Sequence, residues 1–182
     1  DVVGFLTSNK MDLFNFDPRT ASRAFATPRS WTFVSEMLAH QGFDGADAYQ
    51  QKLEIAGAIG EGMAIKFVEH RKIASKLPNP SEIIEGGVKS LDNKLSKEIS
   101  AKYSLVVGLA YELNEMFKAN GIDEEFKKGL NNTVRFSYEN FEPEMVVFLF
   151  KTIMKDYQIR FNVRTDLEKD LHKTFSDRYT KY

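Results

Sequence analysis

The chain of 182 residues contains no cysteine. Disulfides, thiol nucleophiles and zinc–thiolate sites are thereby excluded, and a reducing compartment is compatible with their absence. There is no apolar run of the ~18 residues that a membrane-spanning helix needs. Neither sign of charge dominates: 25 Lys and Arg face 26 Asp and Glu, for a net charge of -1. A dedicated nucleic-acid binder would carry a clear basic excess. The stretch Asp1-Val2-Val3-Gly4-Phe5-Leu6 has neither the basic start nor the cleavage pattern of a signal peptide. It opens on Asp rather than Met, as a fragment or processed product would. What is plentiful is apolar: 42% of the residues are hydrophobic, with fifteen Phe against a single Trp, ample for a packed core.

The dominant period is helical, and the expected class is all-α. A short helix over Asp1 to Ser8 precedes an irregular stretch, Asn9 to Ala26, with a turn at Asp17-Pro18. The next helix runs from Pro28 to His40, with Trp31, Val34 and Leu38 on one face. After a break over Gly42 to Gly45, two helices are predicted over Ala46 to Ile59 and Glu61 to Leu77. Asn79-Pro80-Ser81-Glu82 reads as a cap, a first-turn proline and a capping-box glutamate. Val88 to Lys97 reads as a polar linker and the best domain boundary. Beyond it, Ile99, Tyr103, Val106, Ala110, Leu113 and Phe117 recur at helical spacing. Phe126, Leu130, Val134 and Tyr138 do so in the following helix, Asp123 to Tyr138. Glu142 to Gln158 carries Met145, Phe148, Leu149, Thr152 and Ile153, and Gln158 to Val163 could be extended. Thr165 is expected to cap a last helix to Tyr179, with Leu167, Leu171, Thr174 and Phe175 inward.

Familiar catalytic patterns are missing. His40, His70 and His172 are far apart and read as surface or cap histidines, and neither HExxH nor GxSxG occurs. Gly57-Ala58-Ile59-Gly60-Glu61-Gly62 lacks the Lys-Ser/Thr of a phosphate loop, so close helix packing or a helix break is its expected role. Lys127, Lys128, Lys151, Lys155, Arg160 and Arg164 read as solvated charges. Nucleic-acid binding through the last four is the weakest of the functional readings, and steep salt dependence would mark it.

One residue stands out. Thr27 is a good N-cap and Pro28 suits the first helical position, which puts Arg29 in the first turn, where the helix dipole is already positive. A cation there costs roughly 0.3–1 kcal/mol if exposed. On a helical wheel Arg29, Phe33 and Glu36 lie roughly opposite Trp31. An arginine and a phenylalanine pointing outward together read either as a docking face or as a plain surface arginine stacked on Phe33.

Several stretches together resemble the C-terminal part of MoxR-type AAA+ ATPases of bacteria and phages. They are Asp1-Val2-Val3-Gly4-Phe5-Leu6, Phe16-Asp17-Pro18-Arg19, Phe25-Ala26-Thr27-Pro28-Arg29-Ser30-Trp31-Thr32-Phe33-Val34-Ser35, Ala56 to Gly62 with Phe67, Leu77-Pro78-Asn79-Pro80, and Pro143 to Val147. The resemblance implies an AAA+ lid-like helical domain over residues 1–87 and a C-terminal helical region over 88–182, joined by a linker short enough for the two to pack as one body. It assigns Arg29 the sensor-2 role, reaching the γ-phosphate of ATP bound in an upstream domain, with Phe33 and Glu36 at the interface. The P-loop, the Walker B acids, sensor 1 and the arginine finger would precede residue 1. ATP and Mg²⁺ would then be cofactors of the parent protein, and this fragment alone would be inactive. The resemblance further implies the upstream AAA+ core as partner, a homo-oligomeric ring, a protein target to remodel, and a cytoplasmic location (the host cytoplasm for a phage). The competing reading is a non-enzymatic helical interaction module, an adaptor or phage component.

Overall fold

In the computed structural model, residues 1–19, 23–40, 43 and 47–179 are described, and they are all-α. The helices are α1 (Val2–Ser8), α2 (Pro28–Ala39), α3 (Ala48–Ile59), α4 (Glu61–Ala74), α5 (Pro80–Ile84), α6 (Ile99–Asn120), α7 (Glu124–Asn140), α8 (Pro143–Lys151), α9 (Val163–Asp166) and α10 (Lys169–Tyr179). Apart from Phe43, the break expected over Gly42 to Gly45 lies outside the described residues, as does Ala46. The chain divides into two compact units, residues 1–76 and 77–182. The division falls ahead of the expected boundary at residue 87, because α5 packs against α6 and α7.

The first unit is built on aromatic contacts. Phe5 of α1, Trp31 of α2 and Phe67 of α4 meet with ring centroids 5.2–5.4 Å apart. Val34, Ile55, Ile59 and Ala64 close the core around them. Each fully buried aliphatic or aromatic side chain contributes about 1.5–3 kcal/mol, so this cluster orients all four helices. Gly60 ends α3 and begins α4 at φ 87°, a conformation that costs a Cβ-bearing residue strain. It is therefore a helix break. At Gly57 and Gly62 an added Cβ would meet nothing within 4 Å, so close packing is not their role. α4 stops at Ala74, short of the predicted Leu77.

In the second unit α5 fits a notch cut by two glycines. A Cβ on Gly108 of α6 would come within 2.8 Å of Pro80 Cγ, and one on Gly129 of α7 within 2.8 Å of Ile84 Cγ2. Alanine improves helix propensity by about 1 kcal/mol, but overpacking costs typically 1–3 kcal/mol. Gly129→Ala should therefore destabilise this unit by about 1–2 kcal/mol in urea unfolding. Ile84→Leu, which removes the branch methyl, should show a favourable coupling with it in a double-mutant cycle. Equal losses from Gly129→Ala with either residue at 84 would disprove the steric account.

Three asparagines on α7 hold irregular segments to it. Asn132 Nδ2 donates to Ile84 O at 2.8 Å, fixing the end of α5. Asn140 donates to Lys89 O and accepts from Leu91 N, at 2.9 and 2.8 Å. Asn131 donates to Asp166 O at 2.9 Å and accepts from Glu168 N at 2.7 Å. The expected linker, Val88 to Lys97, is thus no free tether: Leu91 and Leu95 are buried in it and Leu95–Lys97 form a 3-10 turn.

The predicted last helix is likewise two, α9 and α10, interrupted where Asn131 takes Asp166 O and Glu168 N. Asn162, not Thr165, caps α9. Leu167 and Leu171 are buried as expected. Other departures are local. Ile99 is 61% exposed, while the inward positions near it are Ala101, Lys102 and Leu105. α8 ends at Lys151 and continues as a π turn, Thr152–Asp156. Asn79 caps α5 through Ser81 N, without a reciprocal bond from Glu82.

Candidate functional site

The Arg29 face of α2 is set up by a capping box, at a position where none was expected. Thr27 Oγ1 accepts from Ser30 N at 3.0 Å, and Ser30 Oγ accepts from Thr27 N at 2.8 Å. Two of the orphan donors at the helix start are thereby satisfied. Ser30 Oγ also lies 3.1 Å from Phe25 O, which ties the incoming strand to the helix. Pro28 occupies the first turn. Trp31 and Val34 face the core at 2% and 0% exposure, so rotation of α2 is fixed by packing.

Arg29, Phe33 and Glu36 are consequently all exposed on the other side. The Arg29 guanidinium carbon sits 5.7 Å from the centroid of Phe33, itself 47% exposed. That contact braces the guanidinium without neutralising it. Among the described residues no carboxylate pairs with Arg29, whereas Arg71 and Lys102 each have one and Arg135 has two. The group keeps its planar fork of donors for an anion.

A second feature adjoins this helix. Lys10–Leu13 form a 3-10 turn whose Asp12 is anchored twice. Its carbonyl accepts from Trp31 Nε1 at 2.9 Å, and its carboxylate pairs with Lys66. Asn15 N then donates to Ala26 O at 2.9 Å in an isolated antiparallel bridge. Around these anchors Met11, Leu13, Phe14 and Phe16 remain exposed. Among the described residues, twelve large hydrophobics are exposed, and nine of them lie in the first unit. Sequence reasoning passed over this ridge because residues 9–26 show no periodicity. The density of Met, Leu and Phe in an aperiodic stretch was the available signal.

The remaining candidates separate. His70, expected at the surface, is buried, its ring edge-on to Phe5 at 5.3 Å. Burial holds its pKa below the usual histidine value. It is thus a neutral core histidine at pH 7. Lys127 pairs with Glu124 at 2.9 Å, while Lys128, Lys151, Lys155, Arg160 and Arg164 are exposed. Among the described residues no three His, Asp or Glu side chains are grouped to hold a metal ion, and no helix is long and apolar enough to cross a membrane. No family model, curated protein or solved structure matches the chain.

Proposed function

We propose that the chain is the lid region of a MoxR-like AAA+ ATPase, in which Arg29 serves as the sensor-2 arginine for ATP bound by an upstream P-loop domain. The observation that carries this reading is Arg29 itself: exposed in the first turn of a rigidly packed helix, braced on Phe33, with no carboxylate partner among the described residues. A guanidinium so placed fits a phosphate, since it offers two parallel N–H bonds and adds to the positive end of α2. Phe33 and Glu36 would rim the contact with the ATPase core, and the exposed apolar surface of residues 1–76 fits a body that docks on another. ATP with Mg²⁺ would supply the phosphoryl chemistry when bound by the upstream domain; Arg29 would bind and orient the terminal phosphate oxygens, and the lid would be freed when that contact is lost. Coupling of that release to remodelling of a protein target, in a homo-oligomeric ring, completes the proposal.

The test is ATP turnover by the polypeptide that joins this region to its P-loop domain. Arg29→Ala should lower turnover at saturating ATP at least tenfold, about 1.4 kcal/mol of transition-state stabilisation, with an unchanged helical circular-dichroism spectrum. Arg29→Lys, which keeps the charge but loses the fork, should recover only part of the rate. Unchanged turnover in Arg29→Ala would remove the sensor-2 role and favour the non-enzymatic interaction module, for which the same exposed apolar surface is the supporting observation.

A further inference from the structure

The bridge between Asn15 and Ala26 turns the Asn15 main chain inward. With Asn15 N given to Ala26 O, the alternation of a strand would turn the N–H and C=O groups of Phe14 and Phe16 away from that bridge. Phe14 is extended (φ -138°, ψ 110°), and neither Phe14 nor Phe16 makes a main-chain hydrogen bond among the described residues. Their side chains are 60% and 50% exposed. Such an edge is normally covered or blunted, because it is a template for another strand. Here it is held in place by the Trp31 and Lys66 contacts to Asp12, and by the tilted ring contact of Phe16 with Phe25 at 4.7 Å between centroids.

Beside this edge lies a cleft of about 190 Å³, lined by Phe16, Phe25, Ile59 and Met63 together with the acidic residues Asp17 and Glu61, and reaching Gly60 and Gly62. Gly62 has open space where a Cβ would stand. The cleft has room for one medium apolar side chain.

We propose that the Phe14–Phe16 edge is a docking strand for an extended peptide of another protein, which pairs with it through main-chain hydrogen bonds and seats one of its alternating apolar side chains in the adjoining cleft. The main-chain donors and acceptors select an extended backbone, and the cleft selects the side chain; this division of labour is the general pattern of strand addition. A second copy of the chain fits less well. The edge spans two ladder residues between the 3-10 turn ending at Leu13 and Pro18, which has no N–H. Two folded bodies need on the order of 1,000 Å² or more to hold together, whereas a flexible peptide can follow a short edge into the cleft. The inference does not depend on Arg29 meeting a nucleotide.

The test uses the full chain and fluorescein-labelled hexapeptides Thr-X-Thr-X-Thr-X, X being Val, Leu, Ile, Phe or Met, read by fluorescence anisotropy. Binding by at least one of the set is expected, with the Phe14 and Phe16 amides gaining protection from hydrogen exchange. The same peptide N-methylated at every internal amide should bind at least tenfold more weakly, since it keeps the side chains and loses the donors. Gly62→Leu, which fills the cleft, should weaken binding at least tenfold, as should Phe14→Ser, with melting curves confirming that each variant folds. The proposal is overturned if no peptide binds with a Kd below roughly 1 mM, or if the N-methylated peptide binds equally well. Concentration-dependent dimerisation abolished by Phe14→Ser, without peptide binding, would also overturn it, since the occupant would then be a second copy.

Discussion

Trp31→Ala is expected to destabilise residues 1–76 by about 3–5 kcal/mol, the usual cost of removing a fully buried large aromatic. Three losses add up at that position. The ring is 2% exposed and touches both Phe5 and Phe67, so its removal leaves a cavity where α1, α2 and α4 meet. The Nε1–H that holds the Asp12 carbonyl disappears. The rotation of α2 that turns Arg29 outward also loses its anchor. Trp31→Phe separates these effects. It keeps most of the buried area but abandons the hydrogen bond, worth about 0.5–1.5 kcal/mol, and should mainly loosen the 10–16 segment. The measurement is hydrogen exchange: α4 amides should exchange faster throughout in Trp31→Ala. In Trp31→Phe the change should concentrate near Asp12 to Asn15. Uniform acceleration in both variants would mean that the Asp12 anchor has no separate role.

The Trp31 stripe was legible in the sequence because its signals are local. Thr27, Pro28 and the 3-4 spacing of Trp31, Val34 and Leu38 need no knowledge of partners, and they place Arg29, Phe33 and Glu36 on the outer side without further information. Two of the misreadings share a different cause: a polar residue whose value depends on a distant one. Asn140 makes Val88 to Lys97 a docked segment instead of a tether, by taking Lys89 O and Leu91 N from some fifty positions away. Asn131 splits the last helix in the same way. Gly108 and Gly129 lower the helix propensity of α6 and α7, and Pro80 and Ile84 fill the space that they leave. Thr27 and Ser30 close a capping box with a serine in place of the usual Glu or Gln at the third position, which a pattern search for the acidic version passes over. The exposed edge at Phe14 to Phe16 exists only through the pairing of Asn15 with Ala26, which no local period encodes.

Lys102 carries the same lesson to a second large effect. It lies among the buried residues of α6 at 4% exposure, and its ammonium donates to Glu142 Oε1 at 2.6 Å. Lysine is almost never fully buried without such a partner. The Glu142 side chain is 51% exposed at the start of α8, so the pair is buried at one end only and its net worth is screened. Removing the carboxylate is another matter, because it strands a buried cation, a loss that reaches about 3–5 kcal/mol when both ends are buried. Discounted for the wet end, Glu142→Ala should cost the second unit about 2–3 kcal/mol at pH 7. Lys102→Met, which removes the charge and keeps the stem, should cost less than about 1.5 kcal/mol. The hydrogen bond from Lys102 is the largest cause lowering the Glu142 pKa from its ordinary 4.5. The sign follows: the carboxylate contributes stability above pH 4.5, and that contribution is lost as pH falls through its lowered folded value. Chemical denaturation of wild type and Glu142→Ala from pH 7 to pH 3 should therefore show the gap between them narrowing below pH 4.5, with Lys102→Met lacking this feature. A gap that stays constant to pH 3 would mean that the Glu142 charge is not what holds Lys102, since its side chain makes no capping bond to α8 that could account for the gap instead.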